Sequence, residues 1–483
     1  MLTAETARLA PGCVAAIAHA GDVVALRALG SPHADARPTR PDTVFRIASM
    51  SKSFLAATVL SLRDEGRLDL HRPITDYVSD VNLRLDGEAV TVTGGQLLSN
   101  CSGLPEDNAW ADRQLGASRQ QIAALFRAGL PLTRAPGVTY QYSNIGQSLL
   151  GRAVEAVTGC AIEDLVRRRF IDPLGLTHTR FGPDDYPPGT DLAQGFRTFD
   201  SGATFIPEPY VGCGAMACTG GLFSTAGDVA AWMWFLGSAF TPDPMRPDLL
   251  APASRLEMQS GRTPMTIGGD AADAELDARA YGYGLKVEYH RRFGRIVSHS
   301  GGLPGFSADM RWHAATGIGV VLFGNADGFN RATRVSERTL LGVLEATGAP
   351  ADLVRPWDAT IRAAEAIDEA IRHQTPLAGL GTISDNLLQD VPDDVRRRRL
   401  FELLAQTGPI LHSPLAGRII GSSHPSQLRW RVDCEHGALI CDVVMVALPE
   451  PVAQTVNVQL AGPTGRKPVD EAPVVGDFSR VVG

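Results

Sequence analysis

Strand patterns stand at both ends of residues 1–349, and a mainly helical stretch separates them. Two short strands are predicted within 13–29, around a turn at Gly21. Strand patterns return at 283–290, 295–298, 307–312 and 319–323, and a helical pattern follows at about 332–346. This order predicts an antiparallel sheet whose edge strands come from the two ends of the segment, with a helical region beside it.

The chain changes character after residue 349. The segment Pro350–Pro356 has the composition of a linker, and helical patterns follow at 357–374 and 393–406. We therefore expect two domains, 1–349 and 350–483, of which the second is a smaller α+β accessory domain.

A hairpin is the clearest pattern of this second part. Leu428, Trp430, Val432 and Cys434 alternate with charged residues, and an apolar segment returns over 439–448. The alternation predicts that the face carrying Trp430 and Val432 packs into a core.

Composition excludes several classes of function. The formal net charge of −8 argues against a general nucleic-acid or membrane-surface binder. No apolar run reaches the roughly 18 to 20 residues that a membrane helix needs, and no secretory signal is readable at the start. The seven cysteines form no C-x-x-C pair, which favours reduced thiols and a cytoplasmic setting over a disulfide framework.

The cationic residues are strongly biased. Lys and Arg total 45, but the lysines are only Lys52, Lys286 and Lys467. Lysine can lose its proton in a protein where arginine cannot, so each retained lysine is a candidate for a special role. We expect Lys467 to be solvated. Lys286 is expected to be an exposed strand residue, with a place beside the functional site as the alternative.

Common catalytic signatures are absent from the sequence. It contains no G-x-S-x-G, P-loop, H-E-x-x-H or dinucleotide-binding G-x-G-x-x-G motif, and its eleven histidines show no metal-ligand spacing. These absences argue against an α/β-hydrolase, an NTPase, a zinc peptidase and a Rossmann enzyme. We predict no metal and no cofactor.

Ser49 and Lys52 form an S-x-x-K pair at the start of an amphipathic helix. Residues three apart share a helix face, so the lysine lies within reach of the serine. A serine hydroxyl needs a base to become a good nucleophile, and a desolvated lysine can be that base. The motif also occurs by chance, and the neighbouring Ser51 and Ser53 are rival nucleophiles without a lysine three residues later.

Two further segments carry chemistry. Tyr140 to Asn144 contains Y-x-N, in which Tyr142 is a candidate acid/base and Asn144 a candidate ligand for a substrate amide or for the lysine. His299, Ser300, Gly301 and Gly302 follow a predicted strand, and the glycines allow close backbone approach to a substrate. Taken singly, each segment has a plainer explanation: a packed tyrosine with a helix cap, and a glycine-rich turn with a core histidine.

The three motifs together resemble the serine β-lactamase/penicillin-binding-protein superfamily. The Y-x-N and H-x-G versions are similar to its class C branch, which includes β-lactamases, DD-peptidases, D-aminopeptidases and esterases. The likeness covers about residues 11–347 and includes the segments 98–105, 220–225 and 282–285. It implies a β-lactamase-like antiparallel sheet flanked by helices, with an all-helical subdomain.

The resemblance also implies roles for particular residues. Ser49 is the acylated nucleophile, and Lys52 and Tyr142 share the proton transfers. Asn144, His299 and Gly301 bind or support the substrate, with Asn144 beside Lys52. The backbone N–H groups of Ser49 and Gly302 form the oxyanion hole.

The implied activity is hydrolysis of an ester or amide of a small molecule through an acyl-serine. His299 stands where class C β-lactamases commonly use a lysine, so β-lactam turnover is expected to be weak or absent. The alternatives are a D-aminopeptidase or DD-peptidase, an acyltransferase, or a non-hydrolytic penicillin-recognising protein. Expected partners are a small ester, amide or short peptide, with homo-oligomers left open. The loops 105–135 and 198–221 and an exposed insertion at 261–280 are expected to shape the pocket.

Overall fold

The computed structural model describes residues 9–268, 273–327, 332–350, 354–411 and 413–461. Lys467 lies outside the described residues. The chain folds into two compact units, with the division between Ala349 and Pro350. Each unit has its own sheet and its own hydrophobic core.

The first unit is built on an eight-stranded sheet, with smaller sheets of two or three strands beside it. The strands of this unit, in chain order, are β1 Gly12–His19, β2 Asp22–Gly30, β3 Phe45–Arg46, β4 Leu83–Leu85, β5 Glu88–Ala89, β6 Leu130–Pro131, β7 Gly195–Arg197, β8 Ile206–Glu208, β9 Phe223–Ser224, β10 Thr263–Pro264, β11 Leu276–Tyr281, β12 Lys286–His290, β13 Gly294–Leu303, β14 Phe306–His313 and β15 Ile318–Gly324.

The large sheet has the order β10-β11-β12-β13-β14-β15-β1-β2, and each neighbouring pair is antiparallel. The N-terminal hairpin therefore joins the C-terminal strands of the unit, as the order of the patterns predicts. The opposite edge differs from the prediction, because β10 and β11 lie in the stretch expected to be an exposed insertion. Tyr281, at the end of β11, is fully buried. The expectation of an insertion is therefore wrong for β10 and β11, although most described residues of 261–280 are exposed or partly exposed; residues 269–272 lie outside the described part.

Helices surround this sheet and form a region beside it. The helices of the first unit are α1 Ser51–Asp64, α2 Gly94–Leu98, α3 Asn108–Ala111, α4 Arg119–Ala128, α5 Asn144–Thr158, α6 Ile162–Val166, α7 Ala226–Gly237, α8 Pro252–Met258 and α9 Ala332–Ala346.

The two faces of the sheet are covered by different helices. Neighbouring residues of a strand point to opposite faces, so Ile296 packs in the cluster of Leu340 on α9, while Val297 packs in the main core. Helix α1 belongs to that main core, where Phe54 stacks on Trp232 with ring centroids 3.8 Å apart. A helix buried on almost every side is held in place by all its neighbours, so its first residues occupy a fixed position.

The second unit is an α+β domain. Its helices and strands are α10 Asp358–His373, α11 Asp385–Asp390, α12 Asp393–Thr407, β16 Ile419–Gly421, β17 Gln427–Cys434, β18 Gly437–Val446 and β19 Val452–Leu460, and the strands form an antiparallel sheet in that order.

The hairpin of this unit packs as its alternation predicts. Leu428, Trp430 and Val432 are fully buried in one cluster with residues of α10. The Trp430 indole nitrogen donates to buried Asp368 at 2.8 Å, and Arg418 pairs with the same carboxylate. A buried carboxylate with these partners is satisfied, so it is a structural group.

Candidate active site

Ser49 lies in a tight turn immediately before helix α1. Strand β3 leads into a 3-10 turn at Ala48–Met50, and the α-helix begins at Ser51, two residues later than a helix starting at the serine. Ala48 has φ of 49°, a left-handed conformation that is uncommon for a residue with a side chain. Such conformations persist where the surroundings fix them, often at functional sites. The side chain of Ser49 is partly exposed, whereas its neighbours Ala48 and Met50 are buried.

Lys52 lies behind Ser49 and is fully buried. Its Nζ is 3.0 Å from the Ser49 Oγ and donates to the Thr219 carbonyl oxygen at 2.7 Å. Burial lowers the pKa of Lys52 from 10.5 to about 7, although Asp112 and Asp107 nearby oppose this shift. The amine is therefore neutral in a large fraction of molecules near pH 7, and a neutral amine can accept a proton.

The rival nucleophiles are occupied by structural contacts. The Ser51 hydroxyl donates to the Ala48 carbonyl and accepts from the Leu222 amide. The Ser53 hydroxyl donates to the Met50 carbonyl and accepts from the Trp232 indole. Both serines are buried, so Ser49 is the serine of this segment that a substrate can reach.

Tyr142 adjoins both members of the serine–lysine pair. The Lys52 Nζ lies 4.9 Å from the centroid of its ring, and its hydroxyl interacts with the Ser49 side chain. Burial raises the pKa of Tyr142 well above 10, so the phenol keeps its proton near neutral pH. A protonated Tyr142 can donate a hydrogen bond or a proton to Ser49 Oγ, and Lys52 is the better base.

His299 lies within strand β13 and not in a turn after it, which corrects the expected placement of the H-x-G segment. Its Nδ1 is 2.6 Å from the Ser300 carbonyl oxygen, and its Nε2 is 2.9 Å from the Tyr281 hydroxyl. A carbonyl can only accept, so Nδ1 carries the proton and Tyr281 donates to Nε2. Burial, with Lys286 and Lys52 nearby, lowers the pKa of His299 to about 3. A neutral histidine gives a substrate carboxylate no charge to pair with, and the expected role of His299 in binding or supporting the substrate stays a prediction.

The two glycines of the H-x-G segment, Gly301 and Gly302, have different surroundings. A Cβ on Gly301 would lie 2.2 Å from the Ile47 carbonyl oxygen, whereas a Cβ on Gly302 would meet nothing within 4 Å. Gly301 therefore lets β13 run against the turn that carries Ser49. Gly302 lies one residue further along and lines the open cavity.

Asn144 is held by hydrogen bonds to the start of α3. Its side-chain nitrogen donates to Asp107 at 2.9 Å and to Asn108 at 2.9 Å, and within the described residues it has no hydrogen bond to Lys52. The residue is buried at the start of α5, where Ser143 is the N-cap. Asn144 thus ties α5 to the start of α3, and its expected place beside Lys52 stays a prediction.

The motif residues border one cavity of about 630 Å³. Ser49, Tyr142, His299 and Gly302 line it, together with groups that the motifs do not identify. Asp112 is one of these; burial raises its pKa to about 6 against the opposing charge of Lys52. Lys286 is another, and it is partly buried in the cavity wall, so the expectation of an exposed strand residue is wrong.

Tyr281 and Lys286 had weak signals in the sequence, and a place beside the functional site is the stated alternative for Lys286. Tyr281 precedes the motif segment 282–285, and Lys286 is one of three lysines. Asp112 had no signal, because its importance comes only from its position near Lys52. None of the helices in the described ranges is long and apolar enough to cross a membrane.

A model of the Beta-lactamase family matches residues 3–344, which is more than half of the chain. The chain belongs to the Beta-lactamase family. The β-lactamase fold with a serine beside a buried lysine is the scaffold of serine hydrolases, and the fold expected from the motifs is confirmed.

Relatives and solved structures are similar to this chain at modest identity. Protein flp of Staphylococcus aureus (strain COL) is 27% identical over 318 residues, which cover 65% of this chain and 59% of that protein. The matched part is thus less than two thirds of that relative. A structure of the octameric penicillin-binding protein homologue from Pyrococcus abyssi has a TM-score of 0.61 at 19% identity, covering 94% of this chain and 97% of the other. D-amino acid amidase from Ochrobactrum anthropi SV3 has a TM-score of 0.55 at 24% identity, covering 71% of this chain and 96% of the other.

Proposed function

We propose that this protein hydrolyses an ester or amide bond of a small molecule through an acyl-enzyme on Ser49. The observation that carries the proposal is the 3.0 Å contact between Ser49 Oγ and the Nζ of fully buried Lys52. A serine that opens on a cavity, with a lysine whose pKa is about 7 behind it, is an activated nucleophile.

The first step is acylation. Neutral Lys52 keeps its hydrogen bond to the Thr219 carbonyl and turns its lone pair toward Ser49. Ser49 Oγ attacks the substrate carbonyl carbon while its proton passes to Nζ. Tyr142 donates to the same oxygen and then lies on the path by which the proton reaches the leaving group.

The second requirement is a place for the negative charge of the tetrahedral intermediate. We assign the oxyanion hole to the backbone N–H groups of Ser49 and Gly302, one on each side of the cavity. The close packing of Gly301 on Ile47 supports this assignment, because it fixes the distance between the two backbones. Water then attacks the acyl carbonyl carbon as Lys52 takes its proton, and that proton passes to Ser49 Oγ as the bond between the acyl carbon and Oγ breaks.

We also propose that the protein is of the class C-like type and acts on esters and amides rather than on β-lactams. Neutral His299 supports weak or absent β-lactamase activity, because the residue in that position carries no charge for a drug carboxylate. The similarity to D-amino acid amidase favours amides as a second substrate class beside esters, with D-aminopeptidase, DD-peptidase and acyl transfer as variants of the same chemistry. A non-hydrolytic, penicillin-recognising role is the alternative outside this chemistry. The P. abyssi homologue is octameric, which makes a homo-oligomer a proposal to test by light scattering.

A turnover panel tests the proposal. Wild type is assayed with p-nitrophenyl acetate, a D-amino-acid p-nitroanilide and a chromogenic cephalosporin, beside Ser49→Ala and, as a matched control, Ser51→Ala. We expect turnover of the ester or the anilide, little of the cephalosporin, and loss of activity in Ser49→Ala alone. Absence of all turnover would favour the non-hydrolytic alternative, and dominant cephalosporin hydrolysis would contradict the esterase/amidase assignment.

A further inference from the structure

Lys286 opens on the same cavity as Ser49, and the proposed mechanism does not use it. It is the first residue of β12, where it pairs across the sheet with Ser298, the residue before His299. Its charge acts on His299 and helps to keep that ring neutral. Lys286 therefore lies near His299, whereas Asp112 acts on Lys52.

The other cations of the cavity wall are already paired. Arg113 forms an ion pair with Glu208, and Arg197 lies 3.3 Å from Asp327 and 3.5 Å from the same Glu208. In the described parts of the chain, Lys286 has no ion pair and no hydrogen bond from its ammonium group.

The acidic groups closest to Lys286 are committed to arginines. Asp309 accepts from Arg311 at 2.8 Å, and Glu288 accepts from Arg279 at 2.7 Å. Burial lowers the pKa of Lys286; the two carboxylates oppose this shift through space, and the two arginines add to it. A partly buried cation without a bonded partner, facing a cavity, offers its strongest interaction to an anionic group that enters the cavity.

We propose that Lys286 is a specificity-determining residue that binds a carboxylate of the substrate, so that the preferred substrates are esters or amides carrying an acidic group. The proposal rests on the proposed function, because it concerns the substrate of the same site. The carboxylate lies on the His299 side of the scissile bond, and Lys286 contacts it without taking part in the proton transfers.

Paired esters test the proposal. Mono-p-nitrophenyl glutarate is compared with p-nitrophenyl butyrate for an acid on the acyl side, and 3-carboxyphenyl acetate with phenyl acetate for an acid on the leaving group. The measured quantity is the ratio of kcat/KM for the acidic ester over its neutral partner. We expect wild type to prefer the acid in one of the pairs, and Lys286→Met to lower that ratio by about tenfold or more.

A matched control removes a charge from the same hairpin without touching the cavity. Arg291 is exposed in the turn after β12 and pairs with Asp277 on the surface. Arg291→Met should leave the ratio as in wild type, while Lys286→Arg should keep part of the preference. Labelling by a fluorophosphonate confirms that each variant is folded at the site, and Lys286→Gln replaces Lys286→Met if that variant does not fold.

A ratio near one in wild type for both pairs would refute the proposal, as would a ratio that survives in Lys286→Met. A binding measurement, which needs no catalysis, distinguishes failure of the role of Lys286 from failure of the proposed function. Benzoate and benzamide are titrated into Ser49→Ala and into Ser49→Ala/Lys286→Met by NMR. Addition of Lys286→Met should weaken the binding of benzoate by about tenfold and the binding of benzamide far less. Equal effects, or no benzoate binding to Ser49→Ala, would overturn the role of Lys286 even where no ester is hydrolysed.

Discussion

Replacement of Lys52 by arginine separates its charge from its ability to accept a proton. Arginine is also long and cationic, but its guanidinium stays protonated near neutral pH. If Lys52 only placed a positive charge beside Ser49, Lys52→Arg would keep much of the acylation rate. If it is the base, the variant loses the step.

The expected magnitude follows from the site. Because the pKa of Lys52 is about 7, about half of the amines are neutral at pH 7, and the neutral fraction falls about tenfold for each pH unit below that. Wild-type acylation should therefore rise from pH 5 to 7 and level off above. General-base assistance contributes about 10²- to 10⁴-fold, which corresponds to about 3 to 5 kcal/mol of barrier. Lys52→Arg should lose that factor.

The assay is the pre-steady-state release of p-nitrophenol from p-nitrophenyl acetate between pH 5 and 9, by stopped flow. Thermal unfolding by circular dichroism shows whether the variant keeps its fold, and Lys52→Gln provides a second replacement without a base. A Lys52→Arg acylation rate within about tenfold of wild type would refute the base role. So would a wild-type rate that does not change between pH 5 and 7.

Three further predictions concern the same site. Asp112→Asn removes a charge that raises the pKa of Lys52, so the acidic limb of the acylation profile should move to lower pH; an upward shift would contradict the assigned interaction. Gly301→Ala places a Cβ against the Ile47 carbonyl and should slow acylation by about 100-fold. Gly302→Ala meets open space and should slow acylation much less. Equal losses of the stopped-flow acylation rate in the two variants would argue against this packing. Lys52→Met should raise the free energy of unfolding. The pKa of Lys52 is lower in the folded state than the unfolded value of 10.5, so burial of its charged ammonium destabilises the fold. This destabilisation is at its full size below pH 7 and vanishes above pH 10.5. In urea, the free energy of unfolding of Lys52→Met should exceed that of wild type by at most about 5 kcal/mol at pH 6 and by little at pH 10.5. A larger gain at pH 10.5 than at pH 6 would refute this prediction.

Strong periodicity accounts for the parts of the fold that the sequence predicts well. The helix expected at 332–346 is Ala332–Ala346, and the strict alternation around Trp430 becomes the hairpin of the second unit. The edge of the large sheet was missed because β10 has two residues and β11 carries alternating polar and small residues. Such a strand is fixed by its pairing with β12, a contact that local sequence does not contain.

The site can be predicted from sequence where the interacting residues lie in one short segment of the chain. Ser49 and Lys52 are three residues apart, so the 3-10 turn and the first turn of α1 bring them together without a contact from elsewhere in the chain. The role of Asn144 depends on Asp107, which lies 37 residues earlier and reaches it only in the folded chain. The charge of His299 likewise depends on burial and on the nearby Lys286 and Lys52, none of which can be read from the H-x-G motif. Ser51 and Ser53 were left open by the sequence and are excluded by their hydrogen bonds.

Identification of the labelled residue is the most direct measurement of the central claim, which is that Ser49 becomes acylated. The protein is incubated with a fluorophosphonate, and intact mass spectrometry is followed by peptide mapping. The structure predicts one adduct per chain on Ser49, retained in Ser51→Ala and Ser53→Ala and absent from Ser49→Ala. No adduct on wild type, or equal labelling of Ser49→Ala, would contradict the account.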